Sequence, residues 1–254
     1  MENSCWAPSN EDVQNSNIFS FIQYIQNKYD IRIFNYKELH NWSINNPEEF
    51  WLAIWDFCDI VYSEDYKEIL NNPKSINEAK WFSGAKLNFT ENLLKYKYSD
   101  NIAIKFSNEV DPIRELSFKD LYHEVSKVQQ YLIGIGIKEG DRVAAYMPNI
   151  PETVICMLAT ASIGAIWTSC SPDFGVNGVL DRFQQVQPKI FISANGYYYK
   201  GKKINLSNKI ELICNSFDSV ENILIINYIA EDLLHVNLPK VMFYDKLAIS
   251  NKSD

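Results

Sequence analysis

From Asp141 onward the chain alternates apolar strands with helices, and this alternation limits the fold more than any other feature. DRVAAYM (141–147), between Gly140 and Pro148, is continuously apolar from Val143, the pattern of a strand covered on both faces. Pro151-Glu152 opens a helix that runs through Ile163, Gly164 ends it, and AIWTSC (165–170) forms the next strand. Proline is preorganised for a first helical turn and glycine for a helix exit. The unit recurs as a helix over about 176–186 closed by Pro188, a strand KIFIS (189–193), a helix around 206–217 and a strand ENILIIN (221–227). Repetition of this kind predicts an α/β fold with a doubly wound, mostly parallel sheet and right-handed crossovers. Open sheets bind ligands beyond the carboxyl ends of their strands, here the loops after Met147, Cys170, Ser193 and Asn227.

Upstream, IAIKF (102–106) and ELSF (115–118) bracket the polar SNEVDP and read as a hairpin. Ser117 and Asp120 form a capping-box pattern, and Leu121, Val125, Val128 and Leu132 follow at helical spacing until Gly134 and Gly136. Residues 1–100 have a different texture, with five of the six tryptophans (Trp6, Trp42, Trp51, Trp55, Trp81) and no alternating strand pattern. They are expected to form a helical, aromatic-rich leader packed on an α/β domain that begins at 101 and continues to 254. In the leader, Asn46-Pro47-Glu48-Glu49 reads as a helix start with asparagine as cap. Trp51 and Trp55 on that helix are assigned to packing, since aromatic residues at helical spacing usually serve the core.

The formal charge of −8 opposes attraction to phosphate backbones and anionic lipid, so neither nucleic acid nor membrane is expected as a partner. The apolar stretch from Val154 to Cys170 is interrupted by Thr160, Ser162, Gly164 and Thr168 and falls short of the roughly 20 residues of a membrane helix. A polar, slightly acidic N-terminus and five cysteines without a Cys-x-x-Cys pair point to a cytoplasmic protein with reduced thiols. The three histidines are far apart, and no metal site is expected.

The sequence contains no G-x-x-x-x-G-K-[ST], no G-x-G-x-x-G between strand and helix, and no G-x-S-x-G elbow. Gly134-Ile135-Gly136 is explained as a helix stop. Ser171, in SCSPDFG, lies in a polar turn after a strand and has no evident base partner. GYYYKGKK (196–203) gathers three tyrosines and three lysines after a strand end and reads as a solvated loop. Its composition suits stacking on a base and pairing with phosphate.

Several blocks then read together: FWLAIWDF (50–57), AKWFSGAKLNFTENLL (79–94), ELSFKDLY (115–122), GDRVAAYMPNIPE (140–152) and MLATASIGAIWTSCSPDFGVNGVLDRFQQVQPKI (157–190). In order and spacing they resemble the acetoacetyl-CoA synthetases, relatives of acetyl-CoA synthetase among the adenylate-forming ligases. The resemblance implies a two-step acid–thiol ligase in which acetoacetate attacks the α-phosphate of ATP, with Mg²⁺, and CoA then takes the acyl group. Family members are much longer, and their phosphate loop, nucleotide motifs and catalytic lysine have no match here. The chain is thus expected to be an N-terminal portion, inactive on its own, with no catalytic residue to assign. The alternatives are a CoA-binding or regulatory fragment, or one half of a split ligase whose partner is the C-terminal half. By resemblance, the CoA side falls on Ser171, Asp173, Phe174 and Gly175 and on Lys200 and Lys202. Pro172 and Asp173 stand where the acetyl-CoA branch has glycines, and a lysine replaces an arginine, giving a point charge in place of a fork.

Overall fold

A computed structural model of the chain describes residues 5–72, 75–229, 238 and 240–248. It divides into two compact units, Met1–Leu87 and Asn88–Asp254. The polar tail Ser250–Asp254 lies outside the described residues.

The first unit carries helices α1 (Asn10–Gln14), α2 (Asn17–Tyr29), α3 (Tyr36–Asn45) and α4 (Pro47–Phe57), followed by strands β1 (Glu68–Asn71) and β2 (Lys80–Ser83). Its core gathers Phe21, Ile22, Ile25, Ile33, Leu39 and Ala53, with Phe21 edge-on to Phe57 at 5.2 Å. Trp55 is buried and stacks on Phe82 at 4.5 Å, whereas Trp51 remains 44% exposed beside Trp81. Two expectations need correction. The unit is not purely helical, because β1 and β2 pair antiparallel with Leu70 opposite Trp81; four-residue strands are too short to show a period. Asn46 starts α4 without a side-chain cap, since its amide instead donates to the Trp42 carbonyl at 3.1 Å and closes α3.

The second unit begins with α5 (Phe89–Leu93), the antiparallel pair β3 (Ile102–Phe106) and β4 (Arg114–Ser117), and α6 (Phe118–Gly134). Ser117 and Asp120 form the capping box that starts α6, and Leu121, Val125, Val128 and Leu132 are all buried. Each contributes about 1.5–3 kcal/mol of burial. Asn88 and Thr90 hold α5 by donating to the carbonyls of Ala161 and Leu158.

Then come β5 (Arg142–Tyr146), α7 (Pro151–Ser162), β6 (Ile166–Cys170), α8 (Val176–Phe183), β7 (Ile190–Ala194), β8 (Gly196–Tyr199), β9 (Lys202–Asn205), α9 (Ser207–Cys214), β10 (Asn222–Ile226) and β11 (Val241–Phe243). Five of these strands form one parallel sheet in the order β11-β10-β7-β5-β6. Successive residues face opposite layers: Val143, Ala145, Ile190, Ile192 and Leu224 pack with α6 and α7, while Ala144, Tyr146, Phe191, Ile223 and Ile225 pack with α8 and α9. The sheet is therefore doubly wound, with its switch point between β5 and β7, where the chain turns from one side of β5 to the other.

At the amino end of this sheet, the Asp141 carboxylate takes the Lys189 ammonium at 2.7 Å and the Lys138 N–H at 2.9 Å. The Lys189 hydrogen bond holds the Asp141 carboxyl below its ordinary value. A lowered carboxyl stabilises the fold above its unfolded value of about 3.9, and the contribution disappears as pH falls through the folded value. Urea midpoints measured between about pH 6 and 2 should thus fall below about pH 4, and less steeply in Asp141→Asn. Equal slopes for the two proteins would refute the assignment.

Candidate functional site

The carboxyl ends of β5, β6, β7 and β10 converge on one edge of the sheet, and buried polar side chains fix the loops that leave them. At the switch point the fully buried Ser193 hydroxyl, at the end of β7, donates to the Tyr146 carbonyl of β5 at 2.9 Å. Tyr146 itself is inaccessible to solvent, and burial raises its phenol well above the ordinary value, so it stays protonated and donates. Its single proton is shared between the carbonyls of Pro172 and Phe174, each 2.7 Å away. The Lys209 ammonium of α9 adds bonds to the Tyr146 hydroxyl at 3.3 Å and the Pro172 carbonyl at 3.2 Å. The turn at 171–175 therefore sits on a tyrosine–lysine support.

On this support Pro172 is buried, while Ser171, Asp173, Phe174 and Gly175 are exposed. The Ser171 hydroxyl donates to the Asp173 carboxylate at 3.0 Å, and the Arg182 guanidinium lies 4.4 Å over the Phe174 ring. A side chain at Gly175 would meet nothing within 4 Å, so the approach to the start of α8 is open there.

GYYYKGKK is not a loop. It is most of a two-stranded hairpin in which β8 and β9 pair Tyr197 with Ile204 and Tyr199 with Lys202. Lys200 (φ 51°) and Gly201 (φ 71°) make the turn, and two positive φ values are the geometry whose twist matches a tight hairpin. The three tyrosines serve different neighbours. Burial, followed by the nearby Asp173 charge, raises the Tyr197 phenol. Tyr198 stands edge-on to Tyr228 at 5.5 Å, and the Tyr199 ring lies 5.3 Å from the Lys200 ammonium.

Tyr197, near the base of the hairpin, feels the charge of Asp173 in the 171–175 turn, whereas Lys200 and Lys202 lie at the exposed tip of the hairpin. Among the described residues neither ammonium is in an ion pair. The sequence reading missed Tyr146, Lys209 and Asn195, which hold the site from beneath. Asn195, fully buried just after β7, accepts the N–H groups of Tyr228 and Ile229 at 2.8 and 3.0 Å and donates to the Ile229 carbonyl at 2.9 Å. Nearby, a recess of about 300 Å³ is lined by Phe106, Ile226, Tyr228 and the Arg114–Glu152 ion pair at 2.6 Å.

A doubly wound parallel sheet whose carboxyl-end loops are braced in this way defines the class: an open α/β domain, the architecture in which ligands are generally bound at the switch-point edge. The chain belongs to the AMP-binding enzyme family, whose model matches residues 92–234; a second model, acetyl-coenzyme A synthetase N-terminus, matches residues 36–93. The acetoacetyl-CoA synthetase of Xenopus tropicalis is 38% identical over 97% of this chain and 37% of its own length. That of Rhizobium meliloti (strain 1021) is 41% identical over 85% of this chain and 33% of its own. The structure of acetoacetyl-CoA synthetase from Streptomyces lividans superposes with a TM-score of 0.89 at 28% identity, covering 98% of this chain and 38% of that one. The chain thus spans a little over a third of the length of these relatives.

Among the described residues no helix is long and apolar enough to cross a membrane, and no group of three or more His, Cys, Asp or Glu side chains is placed to hold a metal ion.

Proposed function

We propose that this chain supplies the N-terminal leader (1–100) and the first part of the adenylating domain (101–254) of an ATP-dependent acetoacetate–CoA ligase. The reaction is acetoacetate + ATP + CoA to acetoacetyl-CoA + AMP + pyrophosphate, with ATP taken as its Mg²⁺ complex. The observation that carries this reading is the match to acetoacetyl-CoA synthetases along nearly the whole chain in both sequence and structure. In this role the chain provides the CoA side of the site. Ser171, Asp173, Phe174 and Gly175 shape the turn that the thiol arm passes, and Lys200 and Lys202 face the phosphates of CoA. The exposed lysines, in no ion pair among the described residues, and the open approach at Gly175 fit such a ligand. The groups that would hold ATP and perform the chemistry belong to a C-terminal portion.

Incubated with acetoacetate, ATP, Mg²⁺ and CoA, the chain alone is expected to release no pyrophosphate. Joined in frame to the remaining part of the Rhizobium meliloti relative, it should form acetoacetyl-CoA in preference to acetyl-CoA. Turnover by the chain alone would refute the division of labour. A well-folded chimera that forms no acetoacetyl-CoA would refute the reading of this chain as the matching N-terminal part.

A further inference from the structure

The tip of the β8–β9 hairpin is held by a residue about ninety positions earlier in the sequence. The Glu109 carboxylate, in the loop between β3 and β4, accepts the N–H of Lys200 at 3.2 Å and that of Gly201 at 2.5 Å. These are the two central residues of the turn, both with positive φ. Lys200 is not glycine, so its left-handed backbone costs about 1–2 kcal/mol unless something favours it. A carboxylate that takes both amides does so, because bonds to a charged acceptor are the stronger kind.

The loop that presents Glu109 is itself fixed. Asn108 accepts the N–H groups of Val110 and Asp111 at 2.9 and 2.7 Å, and its amide donates to the Tyr228 hydroxyl at 2.7 Å. The Tyr228 ring is edge-on to both Phe106 of β3 and Tyr198 of β8. Loop and hairpin are thus joined twice, by rings at mid-strand and by a carboxylate at the tip.

We infer that Glu109 is a positioning residue for anion binding: it fixes the backbone of the Lys200-Gly201 turn so that Lys200 and Lys202 present their ammonium groups together to the phosphates of CoA. The inference rests on the CoA reading of the hairpin given above. It also predicts an effect of unexpected sign. Glu109 is an anion beside a phosphate site, so removing its charge should tighten phosphate binding if charge alone mattered. If the carboxylate positions the lysines, removing it should weaken binding.

The test is calorimetric titration of the 254-residue chain with CoA, together with hydrogen exchange at the Lys200 and Gly201 amides. Glu109→Ala is expected to weaken CoA about 5-fold and to speed exchange at both amides, with thermal unfolding lowered by no more than about 4 °C. Glu109→Gln keeps one acceptor oxygen and should weaken binding only about 2-fold. The double variant Lys200→Ala/Lys202→Ala should weaken it at least about 10-fold. Unchanged or tighter binding by Glu109→Ala, while the double lysine variant is weakened, overturns the positioning role and leaves the CoA reading standing. Wild-type affinity in the double lysine variant overturns the CoA reading. In that case unaltered exchange at Lys200 and Gly201 in Glu109→Ala overturns the positioning role separately.

Discussion

Replacing Asn195 with alanine should cost about 4 kcal/mol of folding stability, enough to remove a large part of what a domain of this kind possesses. Among the described residues the side chain makes three hydrogen bonds to the backbone that leaves β10, accepting from Tyr228 and Ile229 and donating to the Ile229 carbonyl. Asn195 is inaccessible to solvent and Ile229 is 2% exposed, so alanine would leave buried backbone groups without partners. Each such group costs about 1–3 kcal/mol. Residue 195 also bonds through its own backbone to Ile226 and Leu206, so the loss falls where β7, the exit of β10 and the entry to α9 meet. Urea unfolding measures the cost, and a drop under about 1.5 kcal/mol would show that water replaces the amide.

Asn195→Asp adds a check of sign. Its carboxylate would face the Ile229 carbonyl, the acceptor of the present amide, so the folded state should favour the protonated acid. A raised folded pKa means that the variant is least impaired at low pH and loses stability relative to wild type as pH rises above about 4.

Residues whose side chains merely choose a layer were readable from the sequence. The period of Leu121, Val125, Val128 and Leu132 identified the buried stripe of α6, and the continuous apolar runs identified strands covered on both faces. Both signals depend only on burial, which repeats with the element. Apart from the Ser117–Asp120 capping box, whose spacing is itself a signature, features set by single hydrogen bonds were not readable. Asn46 has the composition of a cap, yet its amide turns back to the preceding helix, and the residue type is the same in either case. Tyr146 lies in a run that reads as apolar, and only its hydroxyl, placed under the 171–175 turn, reveals its role.

The hairpin at 196–205 was hidden for a related reason. Its turn is Lys-Gly, without the asparagine or aspartate that usually announces two positive φ values. What supplies the missing preference is Glu109, which is distant in sequence and carries no local signature. The tyrosine run suggested aromatic stacking, but all three tyrosines are strand residues of the hairpin, and Tyr198 is already engaged edge-on with Tyr228. Of the residues expected on the CoA side, the structure places the lysines at the tip of this hairpin, an arrangement that composition alone does not imply.

A methyl group at Gly196 should be nearly as damaging as the loss of Asn195, and for the opposite reason. Gly196 pairs with Asn205 at the base of the hairpin, and its conformation is not one reserved for glycine. What requires glycine is space: a Cβ there would lie 2.5 Å from the Ile204 carbonyl oxygen and 2.9 Å from Ile229 Cγ1, with Ile229 Cδ1 closer still. The isoleucine is buried and has little room to move, and the carbonyl belongs to the facing strand. Gly196→Ala should therefore push β8 and β9 apart at about 3 kcal/mol, the upper range for overpacking. Ile229→Ala in the same chain removes two of the three clashes but leaves the carbonyl. The double variant should recover stability only in part relative to Ile229→Ala alone. Complete recovery would show that the side chain, not the strand backbone, sets the requirement, and an unchanged urea midpoint for Gly196→Ala would remove the requirement altogether. Because the hairpin tip carries Lys200 and Lys202, the same variant should lose CoA affinity even at temperatures where it remains folded, which separates displacement of the tip from unfolding of the domain.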